Sequence, residues 1–265
     1  MKSDNRYLGA VMIAPFILFI FIGGRSLEIF TFILSALGLF EFYKALKVQE
    51  FKPIVPAGYG LLALYYLSNH NFESLMHYII LGTFLLLIVP VLNVKYTFID
   101  VAITLLGFLY VGIFTSFIYL VNIKDGGVFY VWIIFIGSWM ADTAAYYSGR
   151  RFGKTKLCPK VSPKKTVEGL IGGIIGATIS CGAFGIFTNL YITQVPVYNF
   201  FIIGALCGGF GTFGDLVASS IKRYVGIKDY SNLIPGHGGI LDRFDSILFS
   251  GAVVFYYLTF ILGIK

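Results

Sequence analysis

Charge is scarce in this chain. Asp, Glu, Lys and Arg make up 12% of its 265 residues, where soluble domains carry about 25%. Set beside 57% hydrophobic residues, that shortage excludes an ordinary soluble enzyme and a disordered chain. Cysteine is limited to three, an odd number that gives no disulfide framework and excludes a stapled secreted module. Cys181 and Cys207 lie in Gly-rich apolar runs and read as packing residues, while nothing around Cys158 has metal-ligand spacing. Acidic residues are fewer than basic ones, 13 against 20, for a net charge of +7. In a membrane chain such an excess reflects loop charge bias, so no nucleic-acid partner is expected. A Walker-type G-x-x-x-x-G-K-[ST] is absent, as are low-complexity segments and a clear internal repeat.

What the chain has in plenty is long apolar runs. A spanning helix needs about 20 such residues, and nine segments can be read: 8–23, 27–43, 54–68, 75–93, 99–122, 128–149, 167–189, 198–221 and 246–264. The third is short and reads as tilted, interfacial or re-entrant. The first follows Lys2 and Arg6 and resembles a signal sequence, but no small-x-small cleavage site follows, so it is expected to stay as an uncleaved span. Continuous rather than alternating runs favour helices over a barrel. With the N-terminus inside, 17 of the 20 basic residues fall on inside segments and only Arg25, Lys124 and Lys265 fall outside. The expected fold is therefore an all-α polytopic bundle of about nine spans, N-in and C-out, in the cell membrane. Its character changes near residue 128. Residues 1–127 hold 11 Gly and read as scaffold, whereas 128–265 hold 20 Gly, both long basic loops and the expected chemistry. Gly204 with Gly208, and Ala205 with Gly209, are spaced for close helix approach.

Two polar clusters stand out. Asp142 lies inside an apolar span, where a carboxylate is costly and suggests function. A loop follows in which Gly149, Gly153, Pro159 and Pro163 punctuate seven basic residues, ending at Lys165. Glycines beside lysines let backbone N–H groups and ammoniums meet one anion. The second cluster spans 215–245. On a continuous helix Asp215, Ser219 and Lys222 with Arg223 share a face, and Asp242 with Asp245 at i, i+3 offer two carboxylates to one side. Three aspartates suit magnesium, or manganese in its place, rather than zinc. Lys222, Arg223, Lys228 and Arg243 suit phosphate oxygens. Duller roles compete: Asp242 as a helix cap, Asp245 as a dipole partner, His237 as a turn residue, Lys222 and Arg223 as interfacial anchors, and basic side chains as the partners of the aspartates.

Ser219, Ile221 to Arg223, Lys228, Asp229, Ser231, Leu233 to Pro235, His237 to Ile240, Asp242 to Phe244 and Ser246 together resemble the phosphatidate cytidylyltransferase family. The block from Asp142 through Arg150 to Ser162–Thr166, Glu168 and Gly169 is similar to the same family, while residues 1–127 match only in being hydrophobic. The resemblance implies that phosphatidate attacks the α-phosphorus of CTP, with magnesium, giving CDP-diacylglycerol and pyrophosphate at the cytoplasmic side. It implies catalytic and metal roles for Asp215, Asp242 and Asp245. Substrate or phosphate contacts are implied for Asp142, Lys165, Ser219, Lys222, Arg223, His237, Gly238, Gly239 and Arg243. A homodimer is compatible with this reading. A CTP-dependent polyprenol kinase and a cation-coupled transporter are the rivals; the latter usually shows paired broken helices in two related halves.

Overall fold

The computed structural model describes residues 16–191, 195–234, 236 and 238–265. Its helices are α1 (Gly24–Leu46), α2 (Val55–Leu67), α3 (Phe72–Leu92), α4 (Phe98–Gly107), α5 (Phe114–Asn122), α6 (Gly127–Phe152), α7 (Val167–Thr188), α8 (Val197–Tyr224) and α9 (Leu241–Tyr256). A π-helical turn, Phe108–Ile113, joins α4 to α5 in one rod, and a second, Tyr257–Ile261, extends α9. Seven of these rods are long and apolar enough to cross a membrane, and the shorter apolar α2 is not. The all-α bundle is as expected. The segment read at 8–23 is described only from residue 16, where 16–22 are helical and Phe16 and Ile20 are buried.

The elements begin where the sequence supplies caps. The Asn71 side chain accepts from Ser74 N at the start of α3, Thr97 and Asp100 form a reciprocal capping box at α4, and Thr166 accepts from Gly169 N at α7. Contacts then sort the helix ends onto two faces. One face carries the 47–53 turn, whose Gln49 Nε2 donates to Tyr224 O at the end of α8 (3.4 Å). It also carries the 154–166 segment, tied to α8 by Arg223 Nε donating to Val161 O (3.4 Å). The opposite face joins Gly24 N to Asn122 Oδ1 (2.9 Å) and places His70 beside Glu28. The two long basic loops therefore share a face, as the charge pattern requires. Short α2 reaches from one face to the other because its flanking residues complete the crossing.

One feature was not expected. The basic loop after α6 folds as an antiparallel hairpin, β1 (Lys156–Cys158) with β2 (Ser162–Thr166), pairing Lys156 with Thr166 and Cys158 with Ser162. Behind it α6, α7 and α8 pack closely on small residues. A Cβ on Gly204 would lie 2.6 Å from Ala177 O and one on Gly208 2.8 Å from Ile174 Cα, so neither position admits a side chain. Gly209 faces open space instead. Cys181 and Cys207 are buried in this seam as packing residues.

Candidate active site

Three helices deliver carboxylates to the hairpin face. Asp142 comes from α6, Asp215 from α8 and Asp245 from the second turn of α9. The backbones of α8 and α9 touch here: a Cβ on Gly214 would sit 2.4 Å from Asp245 O, so glycine is required and Asp215 lies beside Asp245. Asp215 is half-buried, with Oδ2 2.6 Å from Lys165 Nζ and Oδ1 accepting from Ser219 Oγ (3.2 Å). Asp245 Oδ1 accepts from Ser246 N (2.8 Å). Ser246 Oγ donates to Asp142 Oδ2 (3.4 Å) and accepts from Ser138 Oγ (2.7 Å). Asp142 and Asp245 each lie within electrostatic reach of Asp215. Beside them, Asp142, Tyr146, Arg150, Lys165 and Thr212 line a cavity of about 320 Å³.

This cluster has one direct ion pair for three carboxylates. Lys165 pairs with Asp215 and also acts on Asp142, Lys222 reaches Asp245 from its pair with Asp242, and exposed Arg243 acts on Asp142 only at a distance. An all-oxygen, acidic donor set fits a hard divalent cation. Among the described residues no three His, Cys, Asp or Glu side chains are gathered tightly enough to ligate one ion by themselves.

A few residues away the charges are closed off. Asp242 is buried and saturated: Oδ1 accepts from Lys222 Nζ (2.6 Å), and Oδ2 accepts from Tyr230 N (2.8 Å) and Gly239 N (2.9 Å). Glu41, near the C-terminal end of α1, is equally enclosed. Its Oε1 accepts from Ser231 Oγ and Ile240 N (2.9 Å), and its Oε2 from Leu241 N (2.8 Å). These amides open α9, so Glu41 caps that helix from another one, with its charge at the positive end of the dipole. A Cβ at Gly239 would lie 2.6 Å from Glu41 Oε1, so a side chain there would push the carboxylate off its amides. Gly238, at φ +85, turns the chain back in an isolated bridge to Ile234. Burial, then Tyr110 and the Asp242 carboxylate, raise the Tyr230 hydroxyl pKa well above its ordinary value, keeping it a neutral donor.

The sequence profile of the Cytidylyltransferase family matches residues 5–261. The chain belongs to the cytidylyltransferase family. Its similarity to the phosphatidate cytidylyltransferase of Bacillus subtilis is 36% identity, covering 97% of this chain and 98% of that one. The phosphatidate cytidylyltransferase of Staphylococcus saprophyticus is 36% identical over 86% of this chain and 87% of its own length. That of Aquifex aeolicus reaches 45% over 52% of this chain and 50% of its own.

In this cytidylyltransferase the structure groups the expected residues differently from their spacing. Asp215 and Asp245 come together, but their third neighbour is Asp142, while Asp242 turns away to Lys222 and the loop. The reason is the start of α9 at Leu241, which puts Asp242 in the first turn against the amides of its own approach loop. Ser219 does stack on Asp215, one turn away. Lys165 is at the cluster; Lys222 is buried in its pair; Arg223 is exposed and ties the hairpin to the loop through Val161 O and Ile227 O. Gly238 and Gly239 shape the loop around Asp242 and Glu41. His237 lies outside the described residues. Glu41 was missed, although the rule that singled out Asp142, a carboxylate inside an apolar run, applies equally to it.

Proposed function

We propose that this chain is a membrane-embedded phosphatidate cytidylyltransferase. The observation that carries the reading is that Asp142 and Lys165 line a cavity at the basic face with Asp215 and Asp245 beside them, in a chain that the family matches over residues 5–261. A phosphate oxygen of phosphatidate attacks the α-phosphorus of CTP, the bond from that phosphorus to the bridging oxygen breaks, and pyrophosphate leaves with the electron pair. The attacking oxygen is already ionised near neutral pH, so orientation and charge neutralisation supply most of the catalysis. Magnesium, or manganese in its place, would be held by Asp215 and Asp245 with Asp142 beside them, and would neutralise the phosphate charge. Lys165 places an ammonium on the same cluster. Arg150, on the cavity wall, and Arg223 and Arg243, both exposed, supply further phosphate contacts. Asp242, Lys222 and Glu41 hold the loop that completes the site.

Active-site access is from the cytoplasm, on the inner membrane of the cell; the distribution of basic residues supports this orientation. Purified protein given CTP, phosphatidate and magnesium is the direct test. Label from the α-phosphorus should appear in CDP-diacylglycerol with release of pyrophosphate. Transfer of the γ-phosphorus with release of CDP would replace this reading by a lipid kinase, and no transfer at all would leave a transporter. Size measurement in detergent tests the homodimer.

A further inference from the structure

Away from the acidic cluster, the basic face has a second recess. Lys47, Lys52 and Lys95 surround a cleft of about 740 Å³ between the turn after α1 and the one before α4, with Glu50 as its one acidic lining residue. All three lysines are exposed. The position of Lys52 is fixed by its backbone rather than its ammonium: Lys52 N donates to Asp100 Oδ1 (2.5 Å). Phe51 forms part of the cleft and also part of an apolar groove of about 380 Å³. Leu46 of α1, Ile103 and Leu106 of α4, and Ile221 and Tyr224 of α8 line that groove. The Phe51 and Tyr224 rings stack at 6.3 Å, fastening the lysine turn to the end of the helix that carries Asp215 and Lys222. Leu106 and Tyr224 remain largely exposed at the groove's outer edge.

An apolar groove with exposed Leu106 and Tyr224 at its edge, headed by three exposed lysines of which Lys52 also acts on Asp100, has the two-part chemistry of an anionic glycerophospholipid. The acyl chain lies along the groove and the phosphate sits among the lysines. A phosphomonoester suits the cleft best, since it carries up to two charges and no further headgroup. We propose that this cleft and groove form a docking site where phosphatidate is held before transfer, next to α8. The proposal rests on the reading that phosphatidate is the substrate. It assigns a role in lipid capture to residues of the first half, which the sequence reading treated as scaffold.

Two variants test it. The triple substitution Lys47→Gln, Lys52→Gln and Lys95→Gln removes the headgroup contacts, and Leu106→Trp fills the groove; neither touches the acidic cluster. In mixed micelles the triple variant should raise the apparent KM for phosphatidate about tenfold or more, with kcat and the KM for CTP unchanged. Leu106→Trp should move the same parameter in the same direction. A photoactivatable phosphatidate, added without CTP, should label the 47–53 and 95–106 segments of the wild type more than a phosphatidylcholine analogue does, and excess inorganic phosphate should not compete. Unchanged KM in both variants overturns the proposal, as does labelling confined to other helices, labelling equal for both lipids, or an equal rise in the KM for CTP. Because labelling needs no turnover, it is read separately from the proposed function: a wild type that makes no CDP-diacylglycerol refutes the reaction, and with it the staging role, even where the groove binds lipid.

Discussion

Two sets of carboxylates sit a few residues apart on one face, and their surroundings are opposite. Glu41 and Asp242 are buried and saturated with donors, five of the six contacts coming from the 230–241 loop or its helix start and the sixth from Lys222. Asp142, Asp215 and Asp245 have one ion pair among them, from Lys165 to Asp215, with hydrogen bonds from Ser219 and Ser246, and Asp142 and Lys165 line a cavity. A buried acid whose two oxygens already hold three donors has little left to offer a substrate, and its loss is felt as lost structure. Acids that repel one another beside an opening are under-neutralised and respond to an added cation. Sequence spacing does not separate the two kinds; hydrogen-bond partners do.

The largest expected effect falls on the open set. Asp215→Asn and Asp245→Asn should each lower formation of CDP-diacylglycerol by about a hundredfold or more, the scale of losing a group that neutralises transition-state charge. Thermal stability in detergent should stay near that of the wild type. Full activity in either variant would break the distinction drawn here.

The closed set should behave the other way. Lys222→Met leaves Asp242 charged and buried, costing about 3–5 kcal/mol, which a melting curve or folded yield will report. Adding Asp242→Leu to it should recover much of that loss, because neither charge is then stranded. Failure of the double variant to recover would mean that the backbone contacts of Asp242 outweigh its ion pair.

Glu41 tests the comparison at long range. Glu41→Gln, which keeps an acceptor but loses the charge, should cost about 1–3 kcal/mol, with Glu41→Ala at least as costly. Activity should fall in step with protection of the 230–241 amides from hydrogen exchange. Normal protection in Glu41→Ala would return α1 to a purely passive part.

The smallest effect concerns the opposite face. His70 is buried among Tyr65, Tyr66 and Tyr119, with neither ring nitrogen hydrogen-bonded. Burial, then the charge of Arg25, lowers its pKa from 6.5 to about 4. The folded state thus binds fewer protons than the unfolded one between these values, so the His70 contribution is complete above 6.5 and is lost as pH falls toward 4. His70→Gln should flatten that part of a stability-versus-pH curve. An unchanged slope would show that other groups set it.

The bundle and the shared face of its two basic loops were legible because apolar length and lysine placement are local, additive signals, and so was the stacking of Ser219 on Asp215. The partition of the aspartates was not. Asp242 and Asp245 are three residues apart, yet the former meets the amides of the approach loop, and that depends on how residues 230–240 return against α8. The hairpin was hidden in a loop whose lysines and prolines read as topology and anion binding. Glu41 was overlooked because residues 27–43 were weighed for length alone, while its partners lie about 200 residues further along.

The contact between Glu41 and the start of α9 also sets an order of assembly. α1 carries a buried acid whose amide donors are made about 200 residues after it. Burying that acid before Ile240 and Leu241 supply their amides would cost several kcal/mol, so the end of α1 is expected to stay hydrated until then. The 230–241 loop therefore acts as a seal on α1: a fragment ending before residue 240 should leave α1 open to proteolysis, while a chain that includes the loop closes over it.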